Sequence, residues 1–123
     1  MDNNEKVSPI LAQNIASMEH YFRDCADIKK KHLTLGKDAA TACYLTFIEV
    51  SVDMGTAALG ETLKYLNSLS KQEIQQVLAQ NAIGITDATY FDTIQDAVNR
   101  LLTGEAILFV DGFSKAVKIP DDG

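Results

Sequence analysis

The sequence predicts an α/β fold: a mixed β-sheet of about four or five strands, covered by helices, in a single compact domain. Three observations point there. Segments with a helical repeat of apolar residues alternate with short strand-like runs, in the order α, β, β, α, α, β, α, β, β. The run from Thr41 to Val50 is apolar almost throughout, as suits a central strand buried on both faces. The chain has 123 residues, of which 46% are hydrophobic and 23% charged, enough for one core and too apolar for disorder.

Each element has a local cause. Residues 1–7 are polar and acidic and read as a flexible leader. Ser8-Pro9 starts the first helix, since serine caps well and proline suits the first helical position. Leu11, Ile15, Met18 and Phe22 then fall on one helical face, and Arg23-Asp24 marks the end. Asp27 to Leu35 reads as a strand. Its Lys29-Lys30-Lys31 run alternates between faces rather than forming one patch, and lysines suit a guarded sheet edge. Gly36-Lys37-Asp38 turns the chain back into the apolar strand, so an antiparallel hairpin is expected.

A helical pattern returns after Val52-Asp53, with Leu59, Leu63 and Leu66 as its stripe, although Gly55 and Gly60 weaken its early turns. Ser70-Lys71-Gln72-Glu73 is a capping box that opens another helix with Ile74, Val77 and Leu78 on its apolar face. Residues 83–85 read as a loop, and Ala88 to Phe91 as a short strand. Asp92 is the expected cap of the last helix, with Gln95 in the capping-box position. Ile94, Ala97, Val98, Leu101 and Leu102 keep its period, and Gly104 stands where a left-handed helix stop belongs. Ala106 to Val110 and Ala116 to Ile119 are the closing strands. Residues 120–123 read as a linker or chain end, which leaves 8–119 as the domain.

The net charge of −6 argues against nucleic acid as a partner, because phosphate binding needs a basic face. No apolar run approaches the ~20 residues that cross a bilayer, so no membrane-crossing helix is expected within these residues. The N-terminus lacks a signal-peptide stretch, which points to a reducing compartment and against a Cys25–Cys43 disulfide.

No reaction centre emerges. His20, His32, Cys25 and Cys43 show no metal-ligand spacing. His20 and Cys25 would point about 140° apart on a regular helix, at ~100° per residue. Nucleophile elbows and glycine-rich phosphate loops are absent as well. The expectation is therefore no catalytic residue, no metal, no cofactor and no enzyme. Three carboxylates remain as ligand-binding candidates, all at predicted element ends. Glu49 interrupts the buried strand where it emerges into solvent, Asp53 precedes a helix, and Asp111 ends the strand Ala106 to Val110. Asp111-Gly112 also reads as a turn: glycine allows positive φ, and aspartate bonds nearby backbone N–H groups. Gly104, Asp111 and Gly112 are thus expected to form a structural motif.

The run Ile94-Gln95-Asp96-Ala97-Val98-Asn99-Arg100-Leu101-Leu102-Thr103-Gly104-Glu105-Ala106-Ile107-Leu108-Phe109-Val110-Asp111-Gly112, followed by Lys115-Ala116-Val117-Lys118-Ile119, resembles the GerA family of spore germination proteins. In particular it is similar to the first N-terminal soluble subdomain of the germinant receptor A subunit. There a helix ending in Leu-Leu-Ser-Gly leads into a strand closing on Asp-Gly, then a turn with Lys-Ala and another strand. The specific motif covers residues 94–117, and the layout extends over 8–119. One departure is Phe47-Ile48-Glu49-Val50, where family members often end an apolar strand in Asp-Gly.

The resemblance implies a receptor of A, B and C subunits in the spore inner membrane that responds to amino acids, sugars or nucleosides. It places this segment on the cytoplasmic side, continued by a second soluble subdomain and membrane helices, and it implies no catalysis. Two functions follow as expectations. The first is protein-protein interaction and signal relay with the B- and C-type subunits and the second subdomain. The alternative is a small-nutrient sensor whose cleft forms with that second subdomain, with Glu49, Asp53, Asp87 and Asp111 as polar candidates.

Overall fold

The computed structural model describes residues 5–48, 57–80 and 89–119. In these residues the chain runs α1 (Leu11–Phe22), β1 (Ile28–Leu35), β2 (Thr41–Ile48), α2 (Ala57–Asn67), α3 (Lys71–Ala79), β3 (Thr89–Phe91), α4 (Ile94–Leu102), β4 (Ala106–Val110) and β5 (Ala116–Ile119). The element order is the one the hydrophobic periods predict. Glu49, Asp53, Asp87, Val52, Gly55, the loop 83–85, the tail 120–123 and the side chain of Leu59 lie outside the described residues.

The five strands form one sheet in the order β1-β2-β4-β5-β3. Where the sequence suggests a mixed sheet, all four pairings are antiparallel. The reason lies in β3, α4 and β4. These three elements look like a parallel crossover unit, and β3 and β4 do run in the same sense. But β5 sits between them, so each pairs antiparallel with β5 instead of with the other. β1 is an edge strand, in keeping with its lysines.

Period-two alternation divides the core into two halves. On β4, Ala106, Leu108 and Val110 face one side, with Cys43, Leu45 and Phe47 of β2 and Val117 of β5. Leu66 of α2 and Ile74 and Leu78 of α3 cover that side. Ile107 and Phe109 face the other way, with Tyr44 and Ala116. There the covering residues are Leu11, Met18 and Phe22 of α1 and Ile94, Ala97, Val98 and Leu101 of α4. The sheet is therefore the middle of three layers, and each fully buried leucine or phenylalanine contributes about 1.5–3 kcal/mol of transfer free energy. On the α1 side Glu19 accepts from Lys30 Nζ at 2.9 Å and from Tyr44 Oη at 3.3 Å. Burial, followed by the charge of Glu19, pushes the Tyr44 phenol up.

Three helix starts show where local signals hold and where they do not. The Ser70–Glu73 box forms as expected, with Ser70 N–H donating to Glu73 Oε1 at 2.9 Å and Glu73 N–H to Ser70 Oγ at 3.3 Å. For α4 the cap is Thr93, not Asp92. Thr93 is extended, and its Oγ1 accepts from Asp96 N–H at 3.2 Å. The Asp92 carboxylate instead lies 3.1 Å from Lys115 Nζ, in an exposed pair. Ser8 does not cap α1 either. Its Oγ accepts from Ile10 N–H, its backbone is held by Asn14, and the helix begins at Leu11.

Residues 5–7 depart from the expected flexible leader. Val7 is buried and its N–H donates to Asp92 O at 2.9 Å, while Ile94 N–H donates to Glu5 O at 2.8 Å. A buried valine and two backbone bonds offset the entropy of ordering this short piece. At the far end of α4, Gly104 has φ 96°, with Gly104 N–H to Leu101 O and Glu105 N–H to Arg100 O. These are the paired bonds of a Schellman stop, so the glycine does what its position predicts.

Adjacent leucines on α4 provide a test of the layer assignment. Leu101 is fully buried, whereas Leu102 is 59% exposed. Leu101→Ala is expected to cost about 2–5 kcal/mol in urea unfolding, and Leu102→Ala within about 0.5 kcal/mol of zero. Similar losses for both would contradict the packing described.

Candidate functional site

The Asp111-Gly112 turn collects more of the chain than any spacing in the sequence suggests. β4 ends at Val110, and Phe113 N–H donates back to Val110 O at 3.1 Å, closing a four-residue turn. Gly112, third in that turn, has φ 88°, while Asp111 keeps negative φ, the pattern of a type II turn. The positive φ selects glycine here, and a Cβ on Gly112 would lie 2.9 Å from Nε2 at the flexible end of Gln75.

Three segments converge on this turn. From β2, Ala42 O accepts from Asp111 N–H at 2.9 Å. From the α1 side, Asp111 Oδ1 accepts from Leu11 N–H at 3.1 Å, and Pro9 O accepts from Gly112 N–H at 2.7 Å. From α3, Gln75 Nε2 donates to Asp111 O at 2.8 Å. The bond to Leu11 has a clear cause. Helix α1 has no acidic residue in its first turn and no side-chain cap at Ile10, so its positive end lacks an anion from its own sequence. Asp111 supplies that anion from 100 residues away.

This geometry commits Asp111 to structure. Its carboxylate, amide and carbonyl all have partners, and each partner is a backbone or carboxamide group rather than a second acid, a base or a nucleophile. Among the three sequence candidates Asp111 is the one described, and Glu49 and Asp53 lie outside the described residues. Gly104 stands at the other end of β4, where it ends α4. Gln75, Asn14 and the Pro9 carbonyl were not predicted. Gln75 is a half-exposed position one residue beyond the buried Ile74, and no local pattern marks it.

The histidines and cysteines are dispersed. His32 and Tyr44 pair across β1 and β2 with ring centroids 5.1 Å apart on the α1 side, whereas Cys43 faces the opposite layer. α1 ends at Phe22, so Cys25 leaves on a turn rather than a helix, and it borders the same open hollow as His20. Among the described residues no three His, Cys, Asp or Glu side chains are placed to hold a metal ion. Both cysteines are free. Cys25 is exposed, and burial pushes the Cys43 thiol up to about 12.

The family model described as Bacillus/Clostridium GerA spore germination protein matches residues 16–123. No curated protein sequence matches significantly. Among solved structures, the chain is similar to the crystal structure of the N-terminal domain of the A subunit of the Bacillus megaterium spore germinant receptor GerK3. The TM-score is 0.71 at 19% identity, over 98% of this chain and 49% of that one. At this identity the likeness shows the fold, and the chain spans about half the length of that structure. Among the described residues no helix is long and apolar enough to cross a membrane.

Two measurements test the site. Asp111→Asn retains an acceptor and is expected to keep most stability, whereas Asp111→Ala costs about 1 kcal/mol, and Gly112→Ala about 1–2 kcal/mol for its positive φ. Equal losses for Asn and Ala would remove the capping role. Near neutral pH a maleimide is expected to label Cys25 fast and Cys43 only on unfolding, and Cys25→Ser to abolish the fast phase. Fast labelling that survives Cys25→Ser would contradict the burial of Cys43.

Proposed function

The chain belongs to the GerA family of spore germination proteins, and from that premise we propose that it is a soluble domain of a germinant receptor A subunit. It acts in nutrient-triggered germination by protein-protein contact and signal relay. Its partners in this reading are B- and C-type receptor subunits and a second soluble subdomain. It works on the cytoplasmic side of the spore inner membrane, held there by the rest of a longer chain, and catalyses no reaction. Its boundaries are residues 8–119, with residues 5–7 packed against Asp92 and Ile94.

The family match over residues 16–123 carries this reading. The commitment of Asp111 supports relay over chemistry, because the carboxylate at the most recognisable motif is occupied by backbone groups. One observation favours the second reading, a nutrient sensor. The GerK3 chain is about twice as long as the part matched, and a cleft between two units is a common ligand site. Glu49, Asp53 and Asp111 are the polar groups that reading offers.

An amide NMR titration separates the two. The chain, alone and joined to its natural continuation, is titrated with amino acids, sugars and nucleosides. Relay predicts a flat response to every nutrient and shifts on adding the B- and C-type subunits. Saturable nutrient shifts clustered near Glu49, Asp53 or Asp111 would overturn relay in favour of sensing.

A further inference from the structure

We infer that the peptide unit joining Asp111 to Gly112 couples the two helical layers across the sheet, so that a displacement of α3 alters how the start of α1 is held. The carbonyl of this unit belongs to Asp111 and accepts from Gln75 of α3 at 2.8 Å. Its N–H belongs to Gly112 and donates to Pro9 O, just ahead of α1, at 2.7 Å. A trans peptide is a rigid plane whose C=O and N–H point in opposite directions. One end of the plane is thus gripped by the layer of α2 and α3, the other by the lead-in to α1. Rotation of the plane cannot satisfy one bond while leaving the other unchanged.

Three features make this a coupling rather than two independent contacts. A hydrogen bond at the carbonyl polarises the amide and strengthens its N–H as a donor, so the two bonds support each other. The Asp111 side chain leaves the same residue and holds Leu11 N–H, which extends the effect into the first turn of α1. Gly112 has no Cβ, and one would press on the Gln75 carboxamide, so the turn is shaped to admit that side chain closely. The preceding peptide unit ties the turn to β2 through Asp111 N–H and Ala42 O, so the turn itself is held to the end of the sheet.

As a route for germination relay this inference rests on the reading proposed above. As a property of the chain it can be tested without it. Amide hydrogen exchange in the 123-residue chain reads it directly, with Leu108, buried mid-sheet, as the reference for global unfolding. Gln75→Leu is expected to speed exchange at Leu11 and Gly112 about fivefold relative to Leu108. Gln75→Asn, polar but too short to reach, gives the same result, and Gln76→Leu on the exposed side of α3 changes neither amide. Coupling is reciprocal, so Asp111→Ala, which keeps the main-chain carbonyl, speeds exchange at Leu78 of α3 relative to Leu108. Faster exchange confined to α3 in both Gln75 variants, with Leu11 unchanged, would overturn the inference. Coupled exchange together with unaltered germination of spores carrying Gln75→Leu supports the coupling and removes this peptide as the route of the relay. The two failures are therefore distinct.

Discussion

Helix α1 begins with free N–H groups and no acid of its own to receive them, and the acceptor arrives from the other end of the chain. The bond from Leu11 N–H to the Asp111 carboxylate fixes where α1 starts, and with it where the α1 layer sits on the sheet. Because Asp111 follows directly on β4, the same bond ties that layer to a central strand. Pro9 and Gly112 reinforce it with a short backbone bond beside it. Around this junction the remaining contacts of α1, from Met18 and Phe22 to the Glu19–Lys30 pair, extend along the helix toward β1.

The second layer depends on the same turn from the opposite side. Ile74 and Leu78 supply the apolar attachment of α3, which has no direction of its own. Gln75 and the β1–β2 turn supply the direction. Lys37 N–H donates to Leu69 O, and Gly36 N–H to Asn67 Oδ1, so the α2–α3 junction is tied to one end of the sheet. The hydrophobic effect brings the three layers together, while a small set of directional bonds at this end sets their register. A chain of this family that passes information through its fold has a physical place to do so where one peptide touches both layers.

Much of this fold was legible because its causes are local. The Ser70–Glu73 box, the Gly104 stop and the strands from Ala106 and Ala116 each rest on residues within a few positions of one another. The misplaced features have the opposite character. Ser8-Pro9 carries a good start signal, but Asn14 holds Ser8 while the true acceptor lies 100 residues on. Asp92 stands one residue before the cap, and its carboxylate meets Lys115, which only the fold brings beside it. The absence of a parallel pair has the same origin, since nothing in β3, α4 and β4 announces that β5 will insert between them. At the candidate site, Asp111 and Gly112 could be singled out from their position after an apolar strand. Gln75 could not, because a glutamine on a helix has no pattern that names a distant carbonyl.

The central claim is that Asp111 holds the start of α1. A long-range HNCO experiment on the labelled chain tests it most directly, because it detects scalar coupling through a hydrogen bond itself. The account predicts a cross-peak between Leu11 nitrogen and the side-chain carboxylate carbon of Asp111, with Leu11 N–H protected from exchange. A Leu11 amide that shows no such peak and exchanges freely with solvent would contradict it, and the two helical layers would then need another account of their register.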